Sequence, residues 1–106
     1  MAWNEASLKK KIKKDCDERG WWSFAPTQSG MGASGIPDRI ACAPTTITPD
    51  DVGKTLGLFV GIEAKVKGNR PTKLQQHQLE GIAAAGGMAL VVTGEKGKPY
   101  ITEQIK

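Results

Sequence analysis

The chain has two cysteines, Cys16 and Cys42, and one histidine, His77. Two thiols cannot build a disulfide framework, and with a single imidazole they do not make a zinc centre. Any resident metal therefore falls to carboxylate oxygens, donors suited to magnesium, manganese or calcium. Long apolar runs are missing too. The uncharged run Ile40 to Pro49 is too short and too polar to cross a bilayer. Met1 to Glu5 lacks the basic-then-apolar order of a signal peptide. No membrane partner is expected, and the expected location is intracellular, in a bacterial or viral setting with the host cytoplasm as compartment. Length is short as well. With 106 residues there is room for one modest core and not for two, so a single domain over residues 1–106 is expected.

What is present is positive charge. Fifteen Lys and Arg against eleven Asp and Glu leave +4. Lys9, Lys10, Lys11, Lys13, Lys14 and Arg19 fall in one segment, and Lys65, Lys67, Arg70 and Lys73 in another. Two readings stand: solvated element faces, or a surface for nucleic acid.

Periodicity organises the rest. Leu8, Ile12 and Cys16 recur at helical spacing behind Asn4, a suitable N-cap, which predicts a helix over 4–19 ended by Gly20. Residues 21–25 and 36–43 read as strands around a glycine-rich loop, with Pro37 at a strand start. Pro44 to Thr55 reads as a polar turn region with no assignable role. Leu58, Val60, Ile62, Ala64 and Val66 alternate within a strand over 56–67. A second helix over 72–85 stops at Gly86-Gly87, and an apolar strand follows over 88–93. Residues 94–99 read as a turn and 100–105 as an optional last strand. The order α-β-β-β-α-β predicts an α/β fold with a mixed central sheet flanked by helices.

Two nucleotide motifs are only apparent. Gly30 to Gly35 fits G-x-G-x-x-G, but a strand rather than a helix is expected after it, so no helix N-terminus would meet a pyrophosphate. Gly53-Lys54-Thr55 resembles the end of a P-loop, but Thr48 stands where that motif needs glycine. No nucleotide cofactor is expected.

The chemistry concentrates elsewhere. On the strand over 56–67, Glu63, Lys65 and Lys67 project to one face, opposite Val60, Ile62, Ala64 and Val66. On a central strand such a pair needs a partner or a metal; on an edge strand it simply faces water. Asp38, after Pro37, opens a strand able to pair with the Glu63 strand. Two carboxylates on adjacent strands can share a divalent cation, and a lysine two residues beyond the second is placed to orient a water. Glu5 stands on the Leu8/Ile12 stripe, so it is expected to face the core; its bland role is to favour the positive end of the helix dipole. Gln75 shares a face with Leu79 and Ile82, and is equally the N3 residue of a capping box with Thr72. Gly35 is either a loop end or a point of close backbone approach to a phosphate. Arg39 suits a phosphate or a neighbouring acid. His77 reads as a surface residue, and the tryptophans Trp3, Trp21 and Trp22 as packing for the most part.

Pro37-Asp38, then Glu63-Ala64-Lys65 twenty-five residues on, resembles the signature of the PD-(D/E)xK nuclease superfamily. Gly35 to Asp38, Ile62 to Lys65, and Thr72 to Gln75 followed by Ala85-Gly86, with Glu5 near the start of the first helix, resemble the VRR-NUC family of virus-type replication-repair nucleases within it. The resemblance implies a restriction-endonuclease-like core and a DNA endonuclease dependent on Mg2+ or Mn2+. Asp38 and Glu63 would ligate the metal with the Ala64 carbonyl, and Glu5 would bind a second ion or a metal-bound water. Lys65 would orient the nucleophilic water or stabilise the transition state, and Gln75 would position either. Lys67, Arg70 and Lys73 are expected on backbone phosphates. Short stand-alone members of this family look like homodimers that cut four-way (Holliday) junctions, so a homodimer acting on branched DNA is the expectation. The alternatives are a basic DNA-binding module with structural carboxylates, or a nuclease acting on flaps or RNA.

Overall fold

Asn4 starts the first helix. In this computed structural model, which describes residues 4–27, 35, 37–66, 68–95 and 98–105, the Asn4 side chain accepts the Ser7 backbone N–H at 2.8 Å. That bond satisfies one of the donors a helix start leaves unpaired. Helix α1 (Glu5–Glu18) follows, held on its outer face by Lys11–Asp15 and Lys13–Asp17 pairs at 2.8 Å. Gly20 takes a left-handed φ of 73° and closes it. Strands β1 (Trp22–Phe24) and β2 (Ile40–Cys42) form an antiparallel two-stranded sheet with Trp22 opposite Cys42. Both strands are shorter than the periodicity predicts. Pro26, Pro37 and Pro44 bracket them, and proline has no N–H to give to a ladder. Helix α1 packs on β1, with Cys16 its buried residue.

These elements belong to one of two compact units, Met1–Ala43; the other is Pro44–Lys106. The second unit opens with a single 3-10 turn, Pro49–Asp51. There Asp51 accepts the Thr48 N–H at 3.0 Å, and this bond, helped by Lys54, holds its carboxyl below the ordinary range. Strand β3 (Val60–Val66), helix α2 (Lys73–Ala84), β4 (Met88–Glu95) and β5 (Lys98–Ile105) then build a mixed sheet. The strand order is β3-β4-β5, with β3 parallel and β5 antiparallel to β4. A parallel pair needs a crossover, and α2 supplies it. The β3 ladder begins at Val60 because its partner begins at Met88, so Leu56 and Leu58 precede the sheet and stay exposed. Part of the turn expected over 94–99 is strand: β4 runs to Glu95 and β5 begins at Lys98.

The mixed sheet and two helices agree with the expected α/β class. The pairing expected of the Asp38 and Glu63 strands is not among the ladders of the described residues. Strand β2 pairs with β1 in a sheet of its own, and β3 is an outer strand of the other. No helix among the described residues is long and apolar enough to cross a membrane.

Helix α2 is seated by Ile82. A Cβ placed on Gly61 would lie 2.5 Å from Ile82 Cδ1. One on Gly87 would lie 2.9 Å from Ile82 Cγ2 and 3.1 Å from the Phe59 carbonyl oxygen. Ile82, Leu79, Ala85, Ala89 and Val91 form the buried centre of this unit. The two glycines differ in what would have to move: a side-chain tip at Gly61, backbone as well at Gly87. Gly87→Ala is therefore expected to cost about 2 kcal/mol in denaturant unfolding and Gly61→Ala about 1 kcal/mol or less. Equal losses would mean that Ile82 is not the seat.

Candidate active site

Register places the site of the second unit. Gly61, Glu63 and Lys65 lie opposite Ala89, Val91 and Thr93 on β4. Cross-strand partners share a face, and Ile82 against Gly61 shows that this face is the one α2 covers. The charged pair thus occupies the covered side of β3. Glu63 and Lys65 side chains are 26% and 19% exposed, and Lys65 Nζ stands 3.7 Å from Glu63 Oε1. Ile62 and Val66, on the other side, are 62% and 65% exposed. A strand normally turns its apolar residues inward; here the outward and inward sides are exchanged. Sequence alternation alone sorts residues into two sets without saying which set is covered. Gly61 was the signal that could have told, since a glycine in line with Glu63 and Lys65 marks where a helix comes close.

Gln75 sits half-buried in the first turn of α2, on the face of buried Leu79 and Ile82. It also forms the capping box. Its Oε1 accepts the Thr72 N–H at 2.9 Å, and Thr72 Oγ1 accepts the Gln75 N–H at 3.2 Å. Both sequence readings of Gln75 thus hold in geometry, with its carbonyl oxygen engaged by the cap. Ala64 is on the exposed side of β3. Arg70 and Lys73 flank the entry to α2 and have no hydrogen-bond or ion-pair partner among the described residues. Lys67 lies outside the described residues, as do Trp3 and most of the glycine-rich loop.

The first unit holds Glu5 and Asp38. Lys9 lies between them, its Nζ 3.5 Å from Glu5 Oε1 and 3.9 Å from Asp38 Oδ1. Neither sequence reading of the first basic segment, a solvated face or a nucleic-acid surface, names an acid partner for Lys9. Its position one turn after Glu5 was the available clue. Glu5 does not face the core as expected: its side chain is 79% exposed, and Leu8 and Ile12 are exposed with it. Within this unit α1 meets the short β1, and the burial in the helix falls on Cys16, beyond its first turns. Asp38 precedes β2 by two residues rather than opening it, and is exposed. Arg39 donates from its guanidinium to Ser23 Oγ at 2.9 Å, a partner that neither sequence reading named. Gly35 has a left-handed φ of 78° with open space around it, a backbone conformation that favours glycine.

Among the described residues no three His, Cys, Asp or Glu side chains gather closely enough to hold a metal ion together. The donor chemistry nonetheless suits a hard divalent ion. Glu5 and Asp38 are oxygen donors that already share one cation, the Lys9 ammonium. In the second unit Glu63 is an oxygen donor with its own lysine beside it.

No protein-family model matches this chain, and neither a curated protein nor a solved structure gives a match.

The Glu63–Lys65 pair can be weighed against a merely structural ion pair. A half-buried lysine costs desolvation that a 3.7 Å contact offsets only in part. Glu63→Met together with Lys65→Met keeps the stems and removes both charges, so that neither is left unpaired. Unfolding of this variant is expected to be unchanged or stabilised by up to about 1 kcal/mol. A loss above about 1 kcal/mol would make the pair a stability element.

Proposed function

We propose that this chain is a metal-dependent endonuclease of the PD-(D/E)xK type, resembling the VRR-NUC family, and that it hydrolyses phosphodiester bonds of branched DNA. One observation carries the reading: a carboxylate and an ammonium two residues apart stand on the covered face of β3 while its apolar residues face out. Folding alone favours the opposite arrangement. Sites that work by electrostatics break such rules, because a partly dry lysine acts more strongly on a nearby anion than one in water. The order Pro37-Asp38, Glu63-Ala64-Lys65, Gln75 supports the same reading.

Asp38 and Glu63, with the Ala64 carbonyl, would hold Mg2+ or Mn2+, and Glu5 would hold a second ion or its water. Such an ion, when bound, lowers the pKa of a water and neutralises charge on the scissile phosphate. The chain's own groups do the rest. Lys65 Nζ donates hydrogen bonds to the attacking water or to a phosphate oxygen as charge builds there. Glu63 keeps that ammonium in place. Gln75 retains its amide N–H2 for positioning while its carbonyl oxygen closes the cap. Arg70 and Lys73, both uncommitted, bind backbone phosphates, and Lys67 and Gly35 are assigned to the same strand.

A homodimer is proposed with it. The outward side of β3 leaves Val60, Ile62 and Val66 exposed, an apolar strip of the kind that marks association surfaces. Two-fold symmetry would give two sites for paired cuts in a four-way junction. The ion pairs of Lys9 with Glu5 and Asp38 favour a second reading, a basic DNA-binding module whose acids are structural.

Labelled four-way junction, flap, duplex and single-stranded DNA separate the two. With Mg2+ or Mn2+ the junction is expected to be cut ahead of the others. Asp38→Ala, Glu63→Ala and Lys65→Ala are each expected to lose about a hundredfold or more in rate with unchanged circular dichroism. Binding without cutting under either metal would give the module instead.

A further inference from the structure

One cavity of the second unit is not absorbed by that reading. A cleft of about 1040 Å³ lies between the loop 68–72, the first half of α2, and β4 and β5. Arg70 and Lys73 line it on the loop and helix side, with His77 and Glu80 further along α2; Thr93 and Glu103 belong to its strand side. Thr93 is buried and stands opposite Lys65 in the β3–β4 ladder. The cleft therefore begins one strand away from the candidate active site, about 5 Å across the sheet.

Its charges are the informative part. Arg70, Lys73 and His77 have no hydrogen-bond or ion-pair partner among the described residues, and neither has Glu103. Glu80 is less free, because Gln76 donates to its Oε1 at 3.3 Å. One cavity thus offers two uncommitted cations and one uncommitted carboxylate. A ligand complementary to it is anionic at one end and carries N–H donors at the other. A purely anionic ligand would leave Glu103 opposed, and a cation would be repelled by Arg70 and Lys73. A nucleotide has this polarity when its base carries donors. An ionised carboxylate has two acceptor oxygens and no donor. Guanine alone among the four bases presents two adjacent N–H donors, N1–H and the N2 amino group, on its pairing edge; thymine flanks its one donor with acceptors, and adenine and cytosine set the amino group beside an acceptor. That edge is free only when the base is unpaired, as in a single strand or when flipped out of a duplex.

We propose that this cleft takes one unpaired guanine nucleotide of a bound strand, its phosphate on Arg70 and Lys73 and its pairing edge on Glu103. The proposal rests on the nucleic-acid reading of the chain and not on its ability to cut. It gives the neighbouring active site a base preference that the active-site residues themselves do not supply.

The test is fluorescence anisotropy of dye-labelled seven-nucleotide strands in chelator, where no cutting occurs, on the full chain. Heptathymidylate with one central guanine is expected to bind about fivefold to tenfold tighter than heptathymidylate. Glu103→Gln, on an exposed side chain, is expected to bring that ratio to about one while heptathymidylate binding does not fall. Arg70→Ala with Lys73→Ala is expected to weaken both strands alike. Equal binding of the two strands, absence of binding, or a preference that survives Glu103→Gln overturns the proposal. Guanine preference in a protein that cuts no DNA with Mg2+ or Mn2+ would fail the nuclease reading alone. Metal-dependent cutting without guanine preference would fail the cleft alone.

Discussion

The second unit depends on the fit of Ile82 between two glycines. Gly61 lets the α2 side chain reach the strand backbone, and Gly87 lets the chain turn back beneath the helix. With α2 held there, the covered face of β3 is fixed as the face of Gly61, Glu63 and Lys65. Because side chains alternate strictly along a strand, Ile62, Ala64 and Val66 are then committed to the other side. The unusual burial of a charged pair is thus a consequence of backbone approach at one position. The β4 register puts Thr93 beside Lys65, where the cleft toward β5 begins.

This arrangement runs against stability. Apolar side chains that could have formed a second layer of core are exposed, and two ionisable groups are partly dried. Protein folding on its own would select the reverse, so the arrangement points to a role for Glu63 and Lys65 outside folding. The first unit shows a different balance. Glu5 and Asp38 are exposed and share the one Lys9 ammonium, which offsets one of their two charges, so a divalent ion arriving there competes with an ammonium. Such competition makes binding at these two carboxylates sensitive to salt and to the loss of Lys9.

Much of the fold was legible in the sequence. Asn4, Gly20, Thr72 and Gly86 marked the helix ends because caps and left-handed glycines are local chemistry. The β3 alternation and the apolar β4 were visible for the same reason. Strand lengths were not, since a strand extends only as far as its partner, and Val60 begins where Met88 does. The candidate site divided in the same way. Glu63 and Lys65 were found from i, i+2 spacing, and Gln75 from its helix face. The exposure of Glu5 was missed because a periodic stripe needs something to pack on, and among the described residues of its unit α1 meets chiefly a three-residue strand. Glu103 and the Ser23 partner of Arg39 depend on tertiary placement and left no pattern to read, whereas the Lys9 contact with Glu5 was open to i, i+4 spacing.

The central claim is that the inward-turned Glu63 serves a metal ion and not the fold. The most direct measurement is titration of the full chain with Mn2+, followed by electron paramagnetic resonance of the free ion, for wild type, Glu63→Gln and Asp38→Asn. The account predicts saturable binding by the wild type and at least a tenfold weaker affinity in each variant, with the fold intact. Binding unchanged by Glu63→Gln, or no saturable binding by the wild type, would contradict it.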